Sequence, residues 1–432
     1  MKRLAAVAAS SVIAAAFLGP GTVTTAARAG AGFGVRLLWA LLFSTIACLV
    51  LQEAAARLSV VSGKTLGETL AARDRHAPLA AAAISLVLSA VLVGCAAYEA
   101  GNILGGVAGA RLALGLSTES LTIACVLAAG ILLWCGSTTV VVSVLGALVA
   151  VMGGAFVLTA AALRPSPQAL LAGLSMPHLP AESGLMVLGL VGTTVVPYNL
   201  FLGSGLARGQ TLFDMRLGLV LAIGLGGVIS MAVLVVGTAI DGGFSFEALA
   251  GVLRARFGAA GGWGLALGLF AAGFSSAVTA PLAAAITARS LLAAAGDEQR
   301  WCTHGWRYRA VWLGVLASGL IFGLSGIRPV PAIIGAQALN GIMLPVVASF
   351  LLLAANDRAR LGAAVNGAFA NLLALVVVAV VVMLGAMAVV RAAAASFGQQ
   401  VAAQVLAGVG AAAAAVAVLA LLRAIARLRQ QP

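Results

Sequence analysis

Charge is scarce in this chain: Asp, Glu, Lys and Arg make up 9% of its 432 residues, against roughly 25% in soluble domains. Acids are rarer still, 12 against 25 Lys and Arg, and no basic cluster exceeds a few residues. The net charge of +13 therefore does not read as a nucleic-acid surface, and no nucleic-acid partner is expected. Histidine is nearly absent. His76, His178 and His304 lie in predicted loops with no ligand spacing between them, which makes them surface residues. The five cysteines, Cys48, Cys95, Cys125, Cys135 and Cys302, form no CxxC and sit mostly in apolar segments. They read as small packing residues, which excludes a disulfide or cysteine-metal framework. No His/Asp/Ser constellation and no phosphate-binding glycine loop is present, so an enzyme, an ATP-driven device and a cofactor are not expected.

Apolar residues fill the space that charge leaves. The chain is 62% hydrophobic with a mean hydropathy of +1.13, and its apolar runs reach the ~20 residues that cross a hydrocarbon core of about 30 Å. Because helices satisfy their own backbone groups in lipid, an all-α integral membrane protein follows, with the bilayer as its main partner. About twelve spans emerge, over 5–31, 37–61, 78–108, 119–138, 140–163, 184–206, 215–240, 261–291, 310–326, 331–354, 363–390 and 402–426. With an inside N-terminus, 17 of the 25 cations fall on the cytoplasmic side, so both termini are expected there, in a bacterial-type inner membrane. A monomer is the expected state. The segment 244–258 has helical apolar spacing with Arg254 and Arg256 on a polar side, and reads as a short interfacial helix.

The start of the chain resembles a secretory signal, with Lys2 and Arg3 before an apolar run. Removing that run would leave an odd number of spans and invert the cation bias, so retention is expected. Inside the run stands Gly19-Pro20-Gly21-Thr22, and inside the sixth span Val196-Pro197-Tyr198-Asn199. Each proline is followed two positions later by a hydrogen-bonding side chain, and each opens a block of five spans. Proline removes a backbone donor and clashes with the preceding turn, so each span is expected to break into two half-helices. Matching breaks in two halves point to an inverted-repeat transporter with its substrate at the bilayer midplane. The alternative is a pair of packing kinks.

At these residues the sequence resembles the Nramp family of proton-coupled divalent-metal transporters, to about residue 361. The stretch "GPGTVTTAARAGAGFGVRLLW" is similar to the family's Asp-Pro-Gly-Asn segment, and "QEAAARLSVVSGKTLGE" (52–68) continues the match. "GTTVVPYNLFLGS" (192–204) resembles its Ala-Thr-Val-Met-Pro-His segment. "AAGFSSAVTAPLAAAI" (271–286) and "AQALNGIMLPVVASFLLLAANDRARLG" (336–362) resemble its eighth and tenth spans. The resemblance implies a LeuT-like fold: two inverted five-helix repeats with broken first and sixth helices (1–163 and 182–356), then two additional helices (357–432).

It also implies a site, and the departures alter that site. The family's metal-binding Asp falls on Gly19, its Asn on Thr22 and its Met on Val196. A carboxylate and a soft thioether are thereby lost, and with them the usual basis for choosing Mn²⁺ or Fe²⁺. Candidate substrate residues are Gly19, Pro20, Gly21, Thr22, Thr193, Thr194, Val196, Pro197, Tyr198, Asn199, Gln337 and Asn340, with Thr22, Thr193 and Gln337 as candidate metal ligands. Such hard oxygens suit Mg²⁺ that keeps part of its water, and the segment around Gln337 resembles the Nramp-related magnesium branch.

The family's acidic pair on the third span falls on Glu99 and Asn102, and two histidines fall on Tyr198 and Gly203. Glu99 reads either as a proton carrier or as the structural partner of an arginine such as Arg28. Arg28 reads as a snorkelling interface cation, or as a charge that turns the pathway toward a neutral or anionic substrate. Glu53 is expected to pack against a polar neighbour as an uncompensated acid.

Overall fold

The computed structural model describes residues 19–71, 78–135, 139–180, 182–293, 297–396, 399 and 401–430. Half of the first predicted span (5–18), Lys2, Arg3, Arg73, Arg75 and His76 lie outside the described residues. Within them every regular element is a helix. In chain order the elements begin α1 Pro20–Phe33, α2 Leu38–Ser62, α3 Leu66–Ala71, α4 Pro78–Leu114, α5 Thr118–Cys135, α6 Thr139–Ala162 and α7 Pro167–Ser175. They continue α8 Gly184–Thr194, α9 Pro197–Leu206, α10 Leu212–Gly237, α11 Phe246–Phe257 and α12 Ala259–Leu292. The last are α13 Glu298–Trp301, α14 Trp306–Leu324, α15 Pro329–Ala354, α16 Arg358–Leu361, α17 Ala368–Ser396 and α18 Ala403–Gln430.

Local chemistry sets the ends of these helices. Proline occupies the first turn of α1, α7, α9 and α15, where its missing N–H has no intrahelical acceptor to lose. Ser166, Thr211 and Ser245 cap α7, α10 and α11 by accepting from the backbone N–H three residues on. Gly63 closes α2 in the left-handed conformation, at φ 68°, which a side chain rarely adopts. The predicted interfacial helix is α11, with Arg254 and Arg256 in its last turn.

Among the described residues, nine helical stretches are long and apolar enough to cross a membrane, with α1–α2 and α8–α9 each taken as one stretch. A tenth arises if the sharply bent pair α6–α7 is a single span. The predicted run 310–326 is α14, which carries Arg307 and Arg309 in its first turn. α12 is among the most buried of the long helices and packs along α4, which also meets α15 and α14, while α8 crosses α15 and α10 crosses α1. Glycine makes the closest crossings possible: a Cβ on Gly192 would stand 1.9 Å from the Gln337 carbonyl oxygen.

One end of the bundle is tied together by arginines. Arg57 of α2 donates to the Ala364 carbonyl and to Asn366 Oδ1, and Arg360 donates to the Thr69 carbonyl of α3. Arg208 pairs with Glu68. Arg429 of α18 donates to Asn356 Oδ1 at 2.8 Å. Two sequence readings change here. Glu53 is not an uncompensated acid: it pairs with Arg57 at 3.1 Å and with Arg216 of α10 at 2.8 Å. Of the cysteines, Cys48, Cys95 and Cys125 are buried packing residues, whereas Cys135 and Cys302 are exposed. These two stand at the end of α5 and just after α13, where no core covers them. His178 and His304 are exposed, as expected.

Candidate substrate site

The sixth predicted span does break. Regular helix stops at Thr194, Val195 and Val196 run extended (ψ 87° and 122°), and Pro197 starts α9. Thr194 donates its hydroxyl proton to the Leu190 carbonyl at 2.9 Å, which fixes the side chain at the end of α8 and leaves only its oxygen lone pairs for a ligand. On the other side Gly19 caps α1 with an extended backbone (φ −74°, ψ 169°) and Pro20 follows it. Residues 5–18 of the first predicted span lie outside the described residues, so the helix described there is the one that begins at Pro20. Both α1 and α9 therefore begin at the breaks, with the positive ends of their dipoles there, while α8 ends there with its carbonyls.

These termini meet. Thr22 Oγ1 lies 3.0 Å from Thr193 Oγ1, one hydroxyl donating to the other, and both residues are fully buried. Tyr98 of α4 donates from its hydroxyl to the Thr193 carbonyl at 3.4 Å. Its ring meets that of Tyr198 edge-on, 5.5 Å between centroids. The Gln337 amide lies over Gly21, where a Cβ would stand 2.2 Å from Nε2. Pro20 lies over Gly105 of α4 in the same way.

Around this contact several buried amides lack a partner. Asn199 Oδ1, Gln337 Oε1 and both side-chain atoms of Asn340 have no hydrogen bond among the described residues. Asn340 stands opposite Gly94 on α4, where a Cβ would come within 2.7 Å of its Oδ1. Unsatisfied buried polar atoms are costly, of order 1–3 kcal/mol each, and in native proteins they call for a water, an ion or a ligand. They are oxygens and one amide nitrogen. Val196, buried and apolar, adds no donor. Among the described residues no three of His, Cys, Asp and Glu come together as a metal centre.

Thr22, Thr193, Tyr198, Gln337, Gly19, Pro20 and Gly21 are thus brought around the breaks, while Asn340 is buried on α15 and Asn199 is half-buried on α9 with its Oδ1 covered. Glu99 and Asn102 are also buried on α4, with Asn102 Nδ2 donating to Glu99 Oε2 at 3.5 Å. Arg28 is not with them: it is exposed and lines a cavity of about 480 Å³ at the far end of α1, together with Glu182 and Phe244. The anticipated Glu99–Arg28 partnership is therefore absent, because α1 carries Arg28 away from α4.

Three participants were not anticipated. Tyr98 precedes Glu99 and was overshadowed by it. Ser276 is the closest side chain to the Gly19 position, 3.5 Å from where a Cβ would sit; the paired hydroxyls Ser275 and Ser276 in an apolar run were a usable signal. Gln52 of α2 occupies the space over Gly203, its Oε1 2.4 Å from a Cβ placed there.

The family model described as Natural resistance-associated macrophage protein-like, Nramp, matches residues 10–391. The chain belongs to the Nramp family. Its relatives include proteins named divalent metal cation transporter MntH. That of Verminephrobacter eiseniae is 26% identical over 84% of each chain, and that of Pectobacterium carotovorum 23% identical over 85% of this chain and 89% of the relative. In structure the chain is similar to a manganese transporter variant from Eremococcus coleocola, with a TM-score of 0.71 at 17% identity, covering 99% of this chain and 94% of the other. It is also similar, with a TM-score of 0.55 at 13% identity, to Mhp1, a nucleobase-cation-symport-1 family transporter in a closed conformation, covering 98% and 92%. These likenesses establish the LeuT-like fold of this Nramp protein.

Proposed function

We propose that this Nramp protein is a secondary transporter that works by alternating access and moves a divalent cation, hydrated Mg²⁺ in preference to Mn²⁺ or Fe²⁺, with weak or no proton coupling. The carrying observation is the Thr22–Thr193 hydroxyl pair at 3.0 Å between the two breaks. Beside it Gln337 Oε1, Asn199 Oδ1 and Asn340 Oδ1 are buried without partners. These are hard, neutral oxygens. They suit an ion that keeps several waters, since Mg²⁺ sheds its shell reluctantly and asks for few direct protein ligands. They do not suit the soft selection that a thioether makes. The names of the MntH relatives support the divalent class. Weak coupling rests on Glu99, which has Asn102 for its neighbour in place of a second acid.

The arginine-tied end is the cytoplasmic one in this reading, by the excess of cations expected there, and both termini face it in a bacterial-type inner membrane. The repeats run over 1–163 and 182–356, followed by two C-terminal helices.

The test uses purified protein in liposomes, with Mg²⁺ and Mn²⁺ uptake followed by fluorescent indicators and lumenal pH read in parallel. Wild type is expected to take up Mg²⁺ faster than Mn²⁺ without acidifying the lumen, and Thr22→Val to slow it. Neither flux nor calorimetric binding of either ion would remove the free-ion reading. A second reading, transport of a chelate, an organic anion or an amino acid, draws on Arg28 in the cavity at the far end of α1. Thermal stabilisation by an organic acid or metal chelate, with no response to free metal, would favour it.

A further inference from the structure

A cavity of about 790 Å³ opens at the arginine-tied end, between α3, α9 and the last turns of α12. It is away from the Thr22–Thr193 contact, and its lining is rich in donors. Lys64, Arg208 and Arg289 line it, with Glu68 the sole carboxylate among the lining residues. Glu68 is already committed: it pairs with Arg208 and accepts from the Thr65 backbone N–H at 2.8 Å. Lys64 and Arg289 have no carboxylate within ion-pair distance among the described residues. Arg289, half-buried, rests its guanidinium over the Tyr308 ring, 5.5 Å from the centroid, which leaves its N–H groups without an oxygen acceptor. Trp301 is the second indication. Its side chain is 5% exposed and lines the same cavity, and its indole N–H has no acceptor among the described residues.

Among the described residues, two cations without a carboxylate and an orphaned buried donor share one cavity, and an anion with several oxygens would satisfy all three. An indole N–H donates only, so water or an acceptor must meet it. A guanidinium is the side chain best matched to phosphate oxygens, and an ammonium adds charge without directional demand. We infer that this cavity is a binding site for a polyvalent oxyanion of the phosphate class, held by Arg289, Lys64 and the Trp301 N–H. The Arg208–Glu68 pair forms one wall. A ligand there touches α3, α9 and α12 together, and so ties the second half of the broken sixth helix to its neighbours. The site is independent of which substrate crosses at the breaks.

The experiment is calorimetric titration of inorganic pyrophosphate into full-length protein in phosphatidylcholine nanodiscs, with sodium chloride at matched ionic strength as the control. Wild type is expected to bind saturably, Arg289→Gln at least tenfold more weakly, and the Lys64→Gln/Arg289→Gln pair not measurably. Arg289→Lys keeps the charge and is expected to recover part of the affinity. Size-exclusion profiles that match wild type keep the variants interpretable, and Arg289→Lys serves if the glutamine variants do not fold. Repeating the titration in nanodiscs with phosphatidic acid separates the sources: competition assigns the site to a lipid headgroup, and unchanged binding assigns it to a soluble phosphate compound. No saturable pyrophosphate binding by wild type, or equal binding by wild type and the folded double variant, overturns the inference.

Discussion

Restoring a carboxylate at position 19 tests the logic of the site most directly. The backbone there is extended and ordinary for any residue (φ −74°), and a Cβ would meet Ser276 Oγ at 3.5 Å and Tyr98 Oη at 3.9 Å. Both are normal contacts, so Gly19→Ala should shift stability by less than about 1 kcal/mol. Gly19→Asp adds charge to the same shape. As the N-cap of α1 the carboxylate gains only a few tenths of a kcal/mol over glycine. Set among buried neighbours, with no cation beside it among the described residues, it costs several kcal/mol of desolvation. The metal-free variant is therefore expected to unfold earlier than Gly19→Ala, by about 2–4 kcal/mol. Mn²⁺ supplies the missing charge, and at 100 times its Kd it returns about 2.7 kcal/mol. Thermal unfolding of detergent-purified protein with and without Mn²⁺, together with calorimetry, reads both quantities. Wild type and Gly19→Ala should show little Mn²⁺ response, and Gly19→Asp a gain in Mn²⁺ affinity of tenfold or more, about 1.4 kcal/mol. A folded Gly19→Asp protein with the same Mn²⁺ affinity as wild type would refute the assignment of Gly19 to the ion path.

Two further contrasts follow from the same contacts. Gly192→Ala places a methyl 1.9 Å from the Gln337 carbonyl oxygen and 2.6 Å from the Gly341 nitrogen, both backbone, so α8 and α15 must part, at about 3 kcal/mol or more. Gly203→Ala has the Gln52 amide as its nearest neighbour, at 2.4 Å, a side-chain end that yields more readily than backbone, and should cost less than Gly192→Ala; equal thermal shifts for the pair would contradict the packing described. Glu53→Gln leaves the Arg57 guanidinium, only 6% exposed, without its carboxylate, and is expected to cost about 1–3 kcal/mol. Arg216→Gln removes a partner that is 53% exposed and should cost less than about 1 kcal/mol. Unfolding midpoints that reverse that order would show Arg216 to be the main partner.

What could be read from the sequence divides along the distance over which each cause acts. The break in the sixth span was legible because proline acts on its own turn: Pro197 starts α9, as its chemistry requires. The spans were legible because lipid imposes length and apolarity on every crossing helix, though α14, with two arginines in its first turn, satisfies that demand only in part. Side-chain partnerships were not legible, because nothing in one segment announces the other. Glu53 meets Arg57 four residues away, which helical spacing allows, but its second partner, Arg216, is 163 residues on. The Thr22–Thr193 contact spans 171 residues; the matching prolines and the family resemblance suggested that both segments share a site, but neither pointed to these two hydroxyls touching. Gly203 shows the limit most clearly. Read alone, it is a position from which the family's histidine has been lost; in the fold, the space above it holds the Gln52 amide. A polar group has therefore not vanished from that place but is supplied from α2 in place of α9, and it exchanges a titratable ring for a neutral amide. By the family resemblance the same exchange of a titratable group for a neutral one recurs at Asn102 beside Glu99, and a carboxylate is lost outright at Gly19, whereas Thr22 exchanges an amide for a hydroxyl and alters only the hydrogen-bonding group. On the proposed function, hydrated-ion passage without lumenal acidification is the outcome to expect, and Glu99, fully buried on α4, is the acid whose replacement by Gln should then leave uptake unchanged.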